Sequence, residues 1–176
     1  VSDAFADPQI RGFVDRLWAE AIATLPTGAG LDTDAYTAEL SQRFANPALM
    51  HRLGQIGTDG SQKLPQRVFN TARTRLERGL PVPHLMLVVA AWIACCEARG
   101  DRLERGLFTD PLDARLAQIL AAGGSSAATV SAVLEAAGQS SGEGDPLKPI
   151  VTRLLDALRQ GGPGAGIEAA RREAGA

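Results

Sequence analysis

The chain has 176 residues, 45% of them hydrophobic and 5% aromatic, with a formal net charge of −2. That apolar content is enough for a packed core and excludes a disordered tail. The near-neutral charge and the scarcity of aromatics exclude nucleic acid and acidic membrane surfaces as partners. Cys95 and Cys96 are the two cysteines. Being adjacent, they form neither an ordinary disulfide staple nor half of a metal site. This usage predicts a reducing, cytoplasmic setting and no bound metal. The longest apolar run, residues 85–96, falls short of the roughly 20 residues that cross a bilayer, so no membrane span is expected. Acids and arginines are spread through the first 25 residues, which is not the pattern of a signal peptide. Val1 in place of a start methionine predicts a boundary within a longer protein.

In chain order, Asp7-Pro8 predicts a helix start, a capping carboxylate followed by a ring whose fixed φ suits the first helical position. Ile10, Phe13, Val14, Leu17, Trp18, Ala21 and Leu25 follow at helical spacing. Residues 26–30 break this helix. Asp32 or Thr33 caps a second, with Tyr36, Leu40 and Phe44 on one face and Glu39 and Arg43 as a surface i,i+4 pair. Asn46-Pro47 ends it and opens a short helix through Leu49, Leu53 and Ile56. Asp59-Gly60-Ser61 reads as a turn. Pro65 belongs in a first helical turn and biases Leu64 away from helix. A helix is therefore predicted from Pro65 to about Arg78, with Val68, Phe69, Ala72 and Leu76 inward and Gly79 as its cap. Pro81 and Pro83 lead into a helix from His84 to about Arg99; apolar on all sides, it is the central one. Asp110-Pro111 and Asp145-Pro146 repeat the start device, opening helices near 111–122 and 146–160. Ser125 or Ser126 starts another through Val130, Val133 and Leu134. Residues 161–166 read as a flexible break before a short polar tail helix. No segment has the strand period. The fold class is all-α, a multi-helix bundle, with residues 1–176 as one helical domain and 161–176 as break and tail.

Three neighbouring pieces carry a resemblance: Arg43-Phe44-Ala45-Asn46-Pro47, then Gln55-Ile56, then Asp59-Gly60-Ser61-Gln62-Lys63-Leu64-Pro65-Gln66-Arg67. With the opening through Leu17 and the apolar stretch around Ala90-Ala91-Trp92, they resemble the C-terminal domain of the polyol-specific long-chain dehydrogenase/reductases. That family includes mannitol dehydrogenase and fructuronate (mannonate) reductase, and the third piece leans toward the latter branch. The resemblance implies a two-domain parent. Its N-terminal half would be a Rossmann domain binding NAD or NADP, and its helical C-terminal half would close over a polyol or sugar acid. The reaction implied is interconversion of a polyol or aldonate with its keto sugar, mannitol with fructose or mannonate with fructuronate. The family's signature, Lys-x-x-x-x-Asn-x-x-His with lysine as general base, is absent here: Val68 lies five residues beyond Lys63 and Arg153 five beyond Lys148. Catalytic residues are therefore expected upstream of Val1. With no Gly-x-Gly-x-x-Gly following a strand, this chain alone is expected to bind no cofactor and to be inactive.

What the resemblance carries over is a substrate contact at Lys63. Most lysines are solvated surface residues, but one just ahead of a helix N-terminus faces the positive end of the dipole, at a cost of roughly 0.3–1 kcal/mol. Such a local conflict is more frequent at functional sites, and Asp59 nearby partly offsets it. Arg67 lies one turn on and Asn70 three residues further. Arg67 either forks onto a sugar carboxylate or lies on a solvated helix face. His51 is either a substrate partner or a helix-surface histidine. Gln55 reads as a satisfied core amide, His84 as a helix-start residue, Cys95 and Cys96 as small core hydrophobes, and Ser61 as a turn or cap. The alternative to an oxidoreductase substrate domain is a free-standing α-helical interaction module; a reading frame continuing upstream into a Rossmann unit separates the two.

Overall fold

The computed structural model describes residues 1–26, 30, 32–49, 52–98, 108–139, 142 and 144–175, and within these every regular element is helical. The Asp-Pro start behaves as its chemistry dictates. After a single turn, α1 (Ser2–Phe5), the Asp7 carboxylate accepts from the N–H groups of Gln9 (2.7 Å) and Ile10 (3.3 Å) and opens α2 (Pro8–Ile22). Asp32 caps α3 (Thr33–Ala45) by accepting from Ala35 N–H at 2.9 Å. Helix α3 is held by Phe44, whose ring lies 5.7 Å from that of Phe5 and 6.0 Å from that of Trp18. The apolar face expected of α3 is only partly used, since Tyr36 is left exposed. Beyond it, Asn46 accepts from Ala48 N–H at 2.9 Å, a local turn that displaces the helix expected from Pro47. Among the described residues, helix next appears at α4 (Leu53–Ile56).

The segment around Pro65 departs from expectation. Helix begins a full turn earlier, as α5 (Gly60–Leu64), and runs on through a π turn (Pro65–Phe69) into α6 (Asn70–Glu77). Leu64 is helical, with φ −59° and ψ −41°. A proline inside a helix removes one N–H and crowds the carbonyl one turn back. Here the following turn widens to the i→i+5 register, with Asn70 N–H donating to the Pro65 carbonyl, and the crowding is absorbed without breaking the helix.

The apolar run forms α7 (Pro83–Glu97), with most of its side chains buried. Its first N–H groups have no partner within the helix and open into the protein interior. Glu20 supplies the acceptor. Its carboxylate, 6% exposed, accepts from His84 N–H (3.1 Å), Leu85 N–H (2.9 Å) and His84 Nδ1–H (2.7 Å). Buried Arg75 of α6 donates to the Glu20 carbonyl (2.9 Å) and the Pro81 carbonyl (2.8 Å), joining α2, α6 and the entry of α7.

Three further helices close the bundle: α8 (Asp113–Ala121), α9 (Ser126–Ala136) and α10 (Leu147–Ala174). Helix α10 lies along α7, α9 packs on α10 and α8 on α9. The glycine break falls where expected. Gly162 has φ 70° and ψ −163°, a conformation open essentially to glycine alone. A straight helix would separate residues 20 positions apart by roughly 30 Å. Instead Arg153 grips Glu173 through two hydrogen bonds of 2.7 and 3.1 Å. The tail therefore folds back and buries Ile167 and Ala170 in the core.

Removing the Glu20 acceptor strands three buried donors. Glu20→Ala is expected to destabilise the chain by about 3–5 kcal/mol. Glu20→Gln, which keeps an acceptor oxygen but loses the charge, should cost about 1–3 kcal/mol. Urea unfolding checks both: the midpoint falls while the slope is kept.

Candidate functional site

Residues 54–64 are pinned from a distance. Phe108 N–H donates to the Gly54 carbonyl (3.1 Å), and Asp59 N–H donates to the Thr109 carbonyl (2.8 Å). The buried Asp110 carboxylate accepts from Ser61 N–H (2.8 Å), from the Ser61 hydroxyl, and from Leu112 N–H (2.9 Å). One side chain thus serves the first turn of α5 and the entry to α8 together. Asp59 itself sits in the left-handed region, φ 57° and ψ 35°, and turns the chain from α4 into α5.

This arrangement changes the environment expected for Lys63. The residue lies in the last turn of α5, not ahead of a helix. Its ammonium donates to the carbonyls of Thr58 (2.6 Å) and Ile56 (3.3 Å), at the carbonyl end of α4. The local electrostatics favour a cation there, so the dipole conflict argued from sequence is absent. An ammonium has three donors, and two are committed to the backbone. Lys63 and Arg67, the latter exposed on the π turn, both line a cleft of about 350 Å³.

The floor of the cleft is a stripe of α7. Val88, Ala91, Trp92 and Cys95, at i, i+3, i+4 and i+7, all face it. Phe108 and Ile56 add apolar wall, and the cations stand at an otherwise apolar surface. Glycines seat the two aromatic rings. A Cβ on Gly57 would lie 2.1 Å from the Phe108 ring, and one on Gly60 would lie 2.1 Å from Trp92 Nε1.

Of the candidates read from sequence, Lys63 and Arg67 are brought to one cleft, whereas Asn70 is exposed and not part of its lining. His51 lies outside the described residues. Gln55 is exposed, not a core amide, and its Oε1 accepts from Arg52 N–H at 3.4 Å. Cys96 is buried in the core, as expected, while Cys95 is exposed on the cleft stripe; the core reading fails for Cys95 because an all-apolar helix does not mark its uncovered face. His84 is a helix-start residue, as expected, and buried as well. Ser61 lies within the first turn of α5, not in a chain turn or at the cap position, which Asp59 takes; its partner Asp110 is 49 residues away and had no signal beyond its own Asp-Pro pair. Ile56 of the lining is 50% exposed, and Leu53 on the same short helix and Leu49 before it are 57% and 38% exposed. A methyl at Gly60 must push the indole aside. Gly60→Ala is expected to cost about 1–3 kcal/mol by overpacking and to alter the near-ultraviolet circular dichroism of Trp92, both measurable on the chain alone.

Residues 1–143 match the sequence profile of the mannitol dehydrogenase C-terminal domain. The chain is 38% identical over 119 residues to D-mannonate oxidoreductase of Escherichia coli, covering 67% of this chain and 24% of that protein. It is 28% identical over 163 residues to mannitol 2-dehydrogenase of Aspergillus fumigatus, covering 92% of this chain and 32% of that protein. An uncharacterized oxidoreductase of Escherichia coli is 35% identical over 134 residues, 76% of this chain and 27% of its own length. The chain thus spans between a quarter and a third of the length of these relatives. With the helical architecture, these matches establish that the chain belongs to the mannitol dehydrogenase C-terminal domain family.

Proposed function

We propose that this chain is the substrate half of an NAD(P)-dependent oxidoreductase that interconverts a sugar acid or polyol with its keto sugar. The observation that carries this reading is Lys63, held by two backbone carbonyls at the edge of an apolar cleft that it shares with Arg67. Fixed in this way, its remaining donor is preorganised for a hydroxyl or carboxylate oxygen. A polyol needs several convergent polar partners, and the floor of this cleft offers hydrocarbon. The cleft is therefore half a site, and the polar remainder belongs to the nucleotide-binding half. The exposed side chains of Leu49, Leu53 and Ile56 suit the docking of that half.

The residues present do not fit a dinucleotide. Among the described residues no strand leads into a glycine-rich turn, and no group of three His, Cys, Asp or Glu is placed for a metal. Hydride transfer and the general base are placed in the other half, and this half orients the keto sugar. Identity to D-mannonate oxidoreductase, together with a second cation at Arg67, supports a carboxylate-bearing substrate over a neutral polyol. A cytoplasmic setting is part of the same proposal; among the described residues no helix is long and apolar enough to cross a membrane.

Two measurements test the reading. Calorimetric titration of this chain alone with NADH is expected to show no specific binding; a saturable heat would overturn the division of labour and leave the chain a cofactor-binding unit. In the intact oxidoreductase, Lys63→Met is expected to remove a charged hydrogen bond of about 1.5–3 kcal/mol. That is a fall in kcat/KM of roughly ten- to a hundred-fold, larger for fructuronate than for fructose. The same substitution also releases two backbone carbonyls and should lower stability by only about 1 kcal/mol. Full kcat/KM in that variant would return Lys63 to the status of a loop-bracing lysine.

A further inference from the structure

We infer that Asp110 is a positioning residue for Lys63, acting across 49 residues of sequence through Ser61. The inference rests on the reading of Lys63 as a substrate contact and adds the device that sets its position. The two acceptors of the Lys63 ammonium, the carbonyls of Ile56 at the end of α4 and of Thr58 just beyond it, lie within residues 54–61. That segment is tied to residues 108–110 at three points: Gly54 to Phe108, Asp59 to Thr109, and Ser61 to Asp110. The Asp110 tie is the one made by a side chain, and its carboxylate, 8% exposed, is shielded from competing water. Cap and cation are thereby mechanically linked. Ser61 and Lys63 share the short helix α5, so a shift of Ser61 moves the ammonium relative to the cleft.

Backbone strain marks the same place. Two non-glycine residues with positive φ, Asp59 at 57° and Phe108 at 65°, stand on either side of this clamp. A left-handed phenylalanine is a true outlier, sustained only where the surroundings over-determine it. Here the surroundings are the Phe108–Gly54 hydrogen bond and the seat of its ring on Gly57. A carboxylate serving only the local turn that leads into α8 requires the Leu112 N–H alone. The two bonds to Ser61 are in excess of that role.

The test is a double-mutant cycle in the intact oxidoreductase, with kcat and KM measured on fructuronate and NADH for the unaltered enzyme, Lys63→Met, Asp110→Ala and the double variant. Asp110→Ala is expected to lower kcat/KM by about five- to fifty-fold, chiefly through KM, since loss of folded enzyme lowers kcat and leaves KM alone. In the Lys63→Met background the same substitution should cost less than about twofold, because residues acting through one contact are non-additive. An equal loss in both backgrounds, or none in either, overturns the positioning role and leaves the Lys63 reading standing. Full activity of Lys63→Met overturns that reading first, and the inference with it. Should Asp110→Ala not fold, Asp110→Asn and Ser61→Ala carry the same cycle. Asn keeps one acceptor oxygen, and Ser61→Ala deletes only the hydroxyl arm; each is expected to show a smaller loss that again vanishes beside Lys63→Met.

Discussion

The bundle depends on one buried carboxylate. Helix α7 is so apolar that it must lie in the centre, and a central helix brings its unpaired N-terminal N–H groups inside with it. Without an acceptor those groups oppose the burial that the side chains favour. Glu20 resolves the conflict by accepting two backbone N–H groups and the His84 ring N–H at the positive end of the helix. A charge is otherwise the least suitable group for a core, yet Glu20 is the one buried residue of α2. Arg75 then donates to the carbonyl of the same residue, and α6 is drawn to the same point. The segment that carries Lys63 and Arg67 is continuous with α6, so the cleft inherits its placement from this junction.

Three Asp-Pro pairs show how one sequence device yields different structures. Asp7 caps its own helix and does nothing else at a distance. Asp145, buried where Asp7 is exposed, accepts from Leu147 N–H at the start of α10 and is approached by Arg73 at 3.5 Å. Asp110 receives Leu112 locally and Ser61 from another part of the chain. The local chemistry is the same each time. A carboxylate has about four acceptor sites, and the fold decides whether the spare ones meet water, a cation or a distant backbone.

The cleft follows from the same logic of incomplete burial. Helix α7 is covered by α10 along one side and by Glu20 and its neighbours at its start, while the stripe through Val88, Ala91, Trp92 and Cys95 borders open space. Glycines at 57 and 60 let the Phe108 and Trp92 rings approach the backbone more closely than any Cβ would allow. A cation above hydrocarbon makes a poor sugar site by itself. Under the proposed function it is one half of a site that a polar second half completes, in keeping with a chain that covers 24% of D-mannonate oxidoreductase.

Much of the architecture was written locally. Helical spacing, capping carboxylates and the glycine break name the helices and their starts, because hydrogen bonds between near neighbours and a period of 3.6 residues are properties of short segments. The run from Asp59 to Arg67 pointed to the family and to Lys63 through residue identity alone, and the structure places Lys63 and Arg67 on one cleft. Other features depended on partners far apart in the chain. The early start of α5 across Pro65 required a π turn to relieve it. The end-of-helix carbonyls around Lys63 required α4 to stop at Gly57. The roles of Glu20 and Asp110 depend on donors 64 and 49 residues away. The open stripe of α7 was illegible because all four of its residues are apolar or sulfur-bearing, like the covered ones. Sequence by itself determined where most of the helices form and which segment marks the family. Only the tertiary structure decided which buried charges would be satisfied and which apolar face would stay open, because both depend on contacts that no local pattern encodes.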